Sequence, residues 1–432
     1  MLHIFLQKLY SVLFTLLVIP LLFMRLCFKA IKNSQHLNKI AERFGLYPQI
    51  ERQQSSKAIW LHAVSLGESK AALPLIYYLL NNYDNHLVIT TMTLTGAQCI
   101  MTEFANNPRV THLYAPYDAG LVVCRFLKHI DPKICLVMET EIWPTMIYEC
   151  YRRHVPLVII NARLSKKSVD GYQKFGFFFK PYLHKISMIC TQSAQDLHNF
   201  LSLDMPDRLV TNVGNLKFDI SLPENLSERA RGLKNYTQGK FVFVVASTHH
   251  HEEEIVLQAF DRLKNLDKLL LIIVPRHPER FDAIESLLRQ QKRQYIRKTQ
   301  ISLDEEMSAE IILGDTMGEL LVYYSVADLC LVGGSLVPIG GHNLLEPAML
   351  QKPIITGKYL DNFIELSQKL VSAEGLLILK NPDNFVEDLA NLVTRLYNNE
   401  HLRAELAANA YQTVLENRGA LTRAAVMLTN YL

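Results

Sequence analysis

The sequence predicts two doubly wound α/β domains with parallel sheets, preceded by an N-terminal apolar helix. Three observations carry that prediction. Short β-branched or aromatic runs alternate with helix-length segments along nearly the whole chain, the pattern of parallel strands joined by crossover helices. The alternation breaks once, between Gly214 and Gly239, where Pro223 and a charged segment intervene. The 432 residues suffice for two separate cores.

The first series of expected strands is Ala58–Val64, His86–Thr91, Val110–Tyr114, Ile134–Met138, Leu157–Ile160, Met188–Thr191 and Leu209–Val213. The second is Phe241–Ser247, Leu269–Val274, Ile311–Leu313, Leu329–Gly333 and Pro353–Thr356. From about Pro382 the pattern is helical to the end. In such sheets ligands bind beyond the carboxyl ends of the strands.

Leu9 to Met24 is uncharged and mostly apolar, with Lys8 before it and Arg25 after it. It is short for a membrane span of about 20 residues. Snorkelling of Lys8 and Arg25, or the aromatic flanks Phe5, Tyr10 and Phe28, extends it. Arg25, Lys29, Lys32, Lys39 and Arg43 follow, and this bias places the body of the protein in the cytoplasm. A small-residue cleavage site is missing, so a retained anchor, spanning or monotopic, is expected instead of a signal peptide. Net charge is +3, which leaves no nucleic-acid footprint. The seven cysteines are scattered without a C-x-x-C pair and read as free thiols in a reducing compartment.

The stretch Leu331 to Ala348 holds two glycine pairs, Gly333-Gly334 and Gly340-Gly341, before His342, Asn343 and a helical pattern containing Glu346. Glycines allow close backbone approach to an anion, and a helix N-terminus offers unpaired N–H groups. The pattern reads as a nucleotide site. Val274-Pro275-Arg276-His277-Pro278 ends another strand, where arginine can meet a phosphate in bidentate geometry. Gly314 to Leu320 ends the next, with Met317, Gly318 and Glu319 opening a helix.

In the first domain, Glu68 follows a strand and precedes a helix. It is placed either as a general base or as a carboxylate at a helix N-terminus. Glu139 and Glu141 follow the strand ending at Met138 and point the same way if that strand continues. Lys217 lies at the domain junction, as a partner for a departing phosphate or in a structural ion pair. Basic and aromatic residues interleave from Lys166 to Lys180, a composition suited to anionic headgroups and acyl chains. His249-His250-His251 is not assigned a metal, because adjacent histidines point in different directions and the three-ligand spacing on a helix is absent.

Taken in order, these segments resemble the 3-deoxy-D-manno-octulosonic acid (Kdo) transferases of Gram-negative lipopolysaccharide biosynthesis. The matching stretches are His62–Glu68, Met138–Pro144, Asn161–Ser165, Gly214–Asp219, Val274–Phe281, Gly314–Leu320 and the double-glycine region. The resemblance implies the GT-B glycosyltransferase architecture, two Rossmann-like domains facing a cleft. It implies an anchor over residues 1–30, an acceptor-binding domain over 31–220 and a CMP-sugar-binding domain over 221–432. Transfer of Kdo from CMP-Kdo to the tetra-acylated lipid A precursor, at the cytoplasmic face of the inner membrane, is the implied reaction.

Residue by residue, Glu68 resembles the family's catalytic base, and Glu139 and Lys217 its transition-state stabilisers. Pro275 and Arg276, then Met317, Gly318 and Glu319, then Asn343, Leu344, Leu345 and Glu346 match its CMP-binding segments. No cofactor or metal is implied. The chain departs from the family pattern at His250-His251, Thr145, Ile339 and Leu344. Two other readings stand beside this one: a GT-B transferase using a UDP-sugar on another lipid acceptor, and a membrane-anchored nucleotide-binding protein without catalysis.

Overall fold

The computed structural model describes residues 2–37, 39–48, 57–220, 222–301 and 309–432, with the side chains of 2–6, 8, 32 and 36 outside that set. The flanking side chains of Phe5, Lys8 and Lys32, and residue 221 of the expected domain limit, fall outside it. The chain divides into two compact units, Met1–Asp219 with Arg418–Leu432, and Ile220–Asn417.

The sheet of the first unit contains β1 (Ala58–His62), β2 (Leu87–Thr91), β3 (Val110–Tyr114), β4 (Pro132–Met138), β5 (Leu157–Ala162), β6 (Met188–Thr191) and β7 (Val210–Asn212). Their order is β3-β2-β1-β4-β5-β6-β7, with every pairing parallel. Both faces are covered. Trp60, Cys135, Val137 and Ile159 enter one core, while Ile59, Leu61, Leu136 and Ile160 enter the other. Strands buried on both sides read as unbroken apolar runs, which is why they were visible in the sequence.

The crossover helices start on side-chain caps. Ser65, Thr93, Ser165 and Ser193 accept from the backbone N–H groups of Glu68, Gly96, Ser168 and Asp196, each satisfying a donor that the helix itself leaves open.

The second sheet contains β8 (Phe241–Thr248), β9 (Leu269–Pro275), β10 (Tyr295–Arg297), β11 (Ile311–Leu313), β12 (Leu329–Val332), β13 (Ile354–Thr356) and β14 (Leu377–Ile378). Its order is β10-β11-β9-β8-β12-β13-β14, again parallel throughout. The short strands β10 and β14 lie at its two edges and were not expected from the sequence.

The end of the chain, expected with the second domain, belongs to the first unit. The helix Ala420–Leu428 places Ala420, Ala424 and Leu428 in the core on one face of this sheet, beside the turn Leu216–Phe218. Asp219 accepts from the N–H groups of Gly419 and Leu421, both at 2.6 Å, and so caps that helix. Arg423 donates through Nε to the Val213 carbonyl at 2.7 Å.

At the N-terminus, Leu9–Ile31 is the one helix among the described residues that is long and apolar enough to cross a membrane. It is longer than the uncharged run because Arg25 and Lys29 ride within it. One side docks on the first unit. Tyr10 donates to Asp118 Oδ2 at 3.1 Å, Ser11 Oγ accepts from Gly120 N–H at 2.8 Å, and Ile19 packs with Tyr117 and Ala119. Arg43, expected among the membrane-proximal cations, is instead buried. It lies 4.3 Å from the Tyr114 ring centroid and donates to the Met92 carbonyl at 2.9 Å. Four cysteines are buried and all seven are free.

Candidate active site

In each sheet the strand order reverses at a neighbouring pair, β1 and β4 in the first and β8 and β12 in the second. That reversal opens a crevice at the carboxyl ends of the strands. Glu68 follows β1 and Glu139 follows β4, whereas Thr248 ends β8 and the first glycine pair follows β12. The topology therefore brings the expected groups of each unit to its own switch point.

Glu68 sits in the first turn of the helix Leu66–Asn82 and is buried. Its Oε2 accepts from Val64 N–H at 2.8 Å and its Oε1 from Ser65 Oγ–H at 2.7 Å, while Ser65 Oγ accepts from Glu68 N–H at 3.3 Å. Glu68 thus shares the helix N-terminus with its N-cap Ser65, which is the capping reading of this carboxylate. Burial raises its pKa, the Glu139 charge adds to that, and the hydrogen bonds from Ser65 and Val64 hold it back. A raised carboxyl is closer to the working range of a general base.

The strand β4 does not continue through Glu139. It ends at Met138, and Glu139 has left-handed backbone at φ 56°. The expected parallel pointing of Glu139 and Glu141 therefore does not hold, and the two carboxylates take different partners. Glu139 Oε1 lies 3.7 Å from Lys217 Nζ. Glu141 Oε2 accepts from Trp143 Nε1 at 2.7 Å, and burial with the charge of Glu68 pushes its pKa up to about 7.

Lys217 rides on the short turn Leu216–Phe218. Asn161 Oδ1 accepts from Leu216 N–H and Asn215 Oδ1 from Lys217 N–H, each at 3.0 Å, and Asn215 Nδ2 donates to Gln192 Oε1 at 2.7 Å. These three buried polar residues fix the lysine from below. Sequence reasoning noticed Asn161 and Asn215 only as motif letters. The available signal was an asparagine ending a strand, since asparagine tolerates the left-handed backbone that Asn161 adopts.

Behind this cluster His62 is fully buried, with Nδ1 at 2.9 Å from Thr90 Oγ1 and its ring edge-on to Trp143 at 4.7 Å. Burial lowers its pKa to about 3, so it stays neutral and supports the Trp143 indole.

In the second unit the first glycine turn already holds an anion. Glu252, fully buried, accepts from the N–H groups of Gly334 at 2.7 Å, Ser335 at 3.0 Å, Leu336 at 2.9 Å and His249 at 2.9 Å. The donors that the sequence assigned to a ligand phosphate serve an internal carboxylate here. Gly333 is required by contact, because a Cβ there would stand 2.6 Å from the Ser247 carbonyl oxygen. Gly334 is required by its φ of 66°.

The second glycine pair leads to Asn343. Its Oδ1 accepts from Leu345 N–H at 3.1 Å and its Nδ2 donates to Glu346 Oε1 at 3.0 Å. Leu344 and Leu345 are buried, so they face this edge with backbone alone. The helix that follows, Leu345–Met349, has five residues. Its dipole is correspondingly small, and individual N–H groups matter more than the helix as a whole. The histidine of this loop stacks on another: His249 and His342 rings are 5.0 Å apart at 9°, with their Nε2 atoms 2.8 Å apart.

Pro275 ends β9, and Arg276 N–H binds the Thr248 carbonyl at 3.0 Å. The Arg276 guanidinium makes no hydrogen bond or ion pair among the described residues. Arg280, four residues on, is committed to buried Glu253 at 2.9 Å. Glu319 is held by Lys298 at 2.6 Å. Burial alone would raise its pKa, but Lys298, Thr316 and Arg229 outweigh it and lower it. Met317 is exposed and Gly318 has φ 73°, so this turn presents backbone and a carboxylate in its charged form. The helix after it, Leu320–Ser325, spans six residues.

The Lys166–Lys180 surface is only partly as expected. Phe175 and Phe177 are exposed, and Lys174 Nζ lies 5.9 Å from the Phe175 ring centroid. Phe178 and Phe179 pack on the core, and Lys180 is ion-paired with Asp204.

The sequence profile of the family described as 3-Deoxy-D-manno-octulosonic-acid transferase (kdotransferase) matches residues 38–220. The 3-deoxy-D-manno-octulosonic acid transferase of Haemophilus influenzae is 36% identical over 94% of this chain and 95% of its own. The probable mitochondrial 3-deoxy-D-manno-octulosonic acid transferase of Arabidopsis thaliana is 32% identical over 87% and 85%. A glycosyltransferase structure from Rickettsia africae covers 87% of this chain and 98% of its own at 13% identity, with a TM-score of 0.55. That last likeness concerns the fold, which is GT-B. With high-coverage relatives above 30% identity, the chain belongs to the 3-deoxy-D-manno-octulosonic acid transferase family and is a Kdo-transferring glycosyltransferase.

Proposed function

We propose that the chain transfers Kdo from CMP-Kdo to a hydroxyl of the tetra-acylated lipid A precursor, with inversion and without a metal cofactor. Glu68 takes the proton of the acceptor hydroxyl as its oxygen bonds to the anomeric carbon of Kdo. The bond from that carbon to the CMP phosphate oxygen breaks, and CMP leaves. The observation that carries this reading is the buried Glu68, its pKa raised, beside the Glu139–Lys217 pair. General-base help is worth roughly 10²–10⁴-fold. Lys217, with Glu139 orienting it, stabilises charge that develops as the bond breaks.

The second unit binds the donor in this reading. Arg276 meets the CMP phosphate, and its uncommitted guanidinium supports that role. Gly318, Leu344 and Leu345 offer backbone groups, and Glu319 and Glu346 offer carboxylates to ribose or base hydrogens. Met317 and Asn343 line the same turns, with Pro275 fixing the approach of Arg276.

The helix Leu9–Ile31, with exposed Leu121, Phe175 and Phe177, holds the first unit to the cytoplasmic side of the inner membrane. Its attachment along Tyr10, Ser11 and Ile19 favours an anchor lying in the membrane surface.

Incubation of the purified protein with CMP-Kdo and the precursor, in EDTA, tests the reading by mass spectrometry of the lipid. Mass added in steps of one Kdo is the expected result and gives the number of residues transferred. An unchanged lipid, from folded protein that binds CMP, discards the acceptor; tighter binding of UDP than CMP discards the donor.

A further inference from the structure

The turn that joins β8 to the helix Glu252–Asp261 carries a second cluster with chemistry of its own. The rings of His250 and His251 lie 3.9 Å apart at 76°. One ligand atom from each, and one from Glu254, lie within 4.8 Å of one another. On a strand or a regular helix adjacent side chains diverge, which is why the sequence argued against a metal. The structure removes that objection. His251 adopts left-handed backbone at φ 74° as the residue preceding the helix, and the turn folds both rings to one side. Glu254, in the first helical turn, comes round beneath them.

Glu254 supplies an independent pointer. Its Oε2 is shielded from solvent and has no hydrogen-bond partner among the described residues. A carboxylate oxygen that has lost water without gaining a donor is costly, and a cation would satisfy it. Both histidines are exposed, so a cation could enter from solvent.

We propose that His250, His251 and Glu254 form a binding site for a divalent transition-metal cation, with Zn²⁺ its best-fitting representative. Two imidazole nitrogens and one carboxylate oxygen suit zinc better than the all-oxygen shells of Mg²⁺ or Ca²⁺. Three protein ligands leave a coordination position for water. The role is a staple on the turn between β8 and its helix. That turn also carries His249, bonded to Glu252 through its N–H and to His342 through its ring. The site is independent of the proposed transfer reaction, which uses Glu68.

The test uses the full-length protein in detergent, stripped with EDTA and exchanged into chelator-free buffer. Zinc chloride is titrated calorimetrically, and melting is followed with and without zinc. The expected result is one zinc per chain at micromolar affinity and a rise in Tm that saturates with binding. Glu254→Gln and the double variant His250→Ala/His251→Ala should each weaken zinc by at least about tenfold, while melting like the parent in EDTA. Cobalt in place of zinc should give visible bands without the near-ultraviolet charge transfer of a cobalt–thiolate bond. Isotherms and Tm shifts that are the same in parent and variants would overturn the proposal. So would a thiolate band, which would move the metal to a cysteine.

Discussion

Lys217 Nζ stands 3.7 Å from Glu139 Oε1, and the two side chains are 44% and 28% exposed. An ion pair so open to water contributes about 0–1 kcal/mol to stability. In the proposed mechanism, its place beside Glu68 makes it expensive to lose. Lys217→Ala and Glu139→Gln should each shift Tm by little and lower kcat by about 10²-fold or more. Melting curves and initial rates on the same preparations check this. A large fall in Tm with kcat preserved would make the pair structural.

Glu68→Gln should abolish turnover and leave CMP binding nearly unchanged, because the residue belongs to the first unit and the proposed donor segments to the second. It keeps an oxygen for Val64 N–H, so the helix cap survives in part. Single-turnover assays and CMP calorimetry separate the outcomes. Retained turnover removes Glu68 as the base.

Glu141 carries a pH signature. Its folded pKa is about 7 against an ordinary 4.5, so between those values the folded state binds more protons than the unfolded. Stability from this group is therefore greatest at the acid end and falls as pH rises through the window. Glu141→Gln should flatten the pH dependence of Tm between about 4.5 and 7, by on the order of 1–2 kcal/mol. Melting at several pH values reads it directly. Asp118, also raised to about 7 by burial, contributes a slope of the same sign that survives in the variant.

Arg276 and Arg280 should part company. Arg276→Ala removes a guanidinium that makes no hydrogen bond or ion pair among the described residues, and should weaken CMP by about 1.5–3 kcal/mol with the fold intact. Arg280→Ala strands buried Glu253 and should cost about 3–5 kcal/mol of stability. Calorimetry with CMP and thermal melting distinguish them. Equal CMP affinity in parent and Arg276→Ala would remove that contact.

Glu252→Ala leaves four backbone N–H groups without their acceptor. The expected loss is at least about 3 kcal/mol, seen as a lower Tm and faster amide exchange at Gly334, Ser335 and Leu336. Unchanged exchange there would show that the turn holds itself.

The sheets were legible because burial on both faces writes each strand as a run of apolar residues, and all twelve expected strands are present. Leu377–Ile378 and Tyr295–Arg297 escaped because two or three residues at a sheet edge carry too little pattern. The return of the chain end to the first unit has no local signature: Asp219 capping Gly419 joins residues 200 positions apart. The site was half legible. Glu68 and Glu139 follow strands as expected, and Lys217, read only as a cation at the domain junction, meets Glu139; a left-handed Glu139 breaks the alternation that the reading of Glu141 relied on. Nothing in sequence order reveals that Glu252, in the first turn of the helix Glu252–Asp261, fills the glycine turn after β12.

Asp118 binds Tyr10 of the anchor helix with the same carboxylate that caps Thr145 and Met146, at 3.0 and 2.8 Å, in the helix beginning at Pro144. That helix directly follows Glu141 and Trp143. The N-terminal helix is thus bolted, through one buried acid, to the segment that directly follows Glu139 and Glu141. In the proposed membrane arrangement, this link sets the height of Glu68 and Glu139 above the bilayer, and a sugar headgroup rises to meet them. Trimming the first thirty or so residues to gain solubility would unseat a support of the segment after β4 along with the apolar helix.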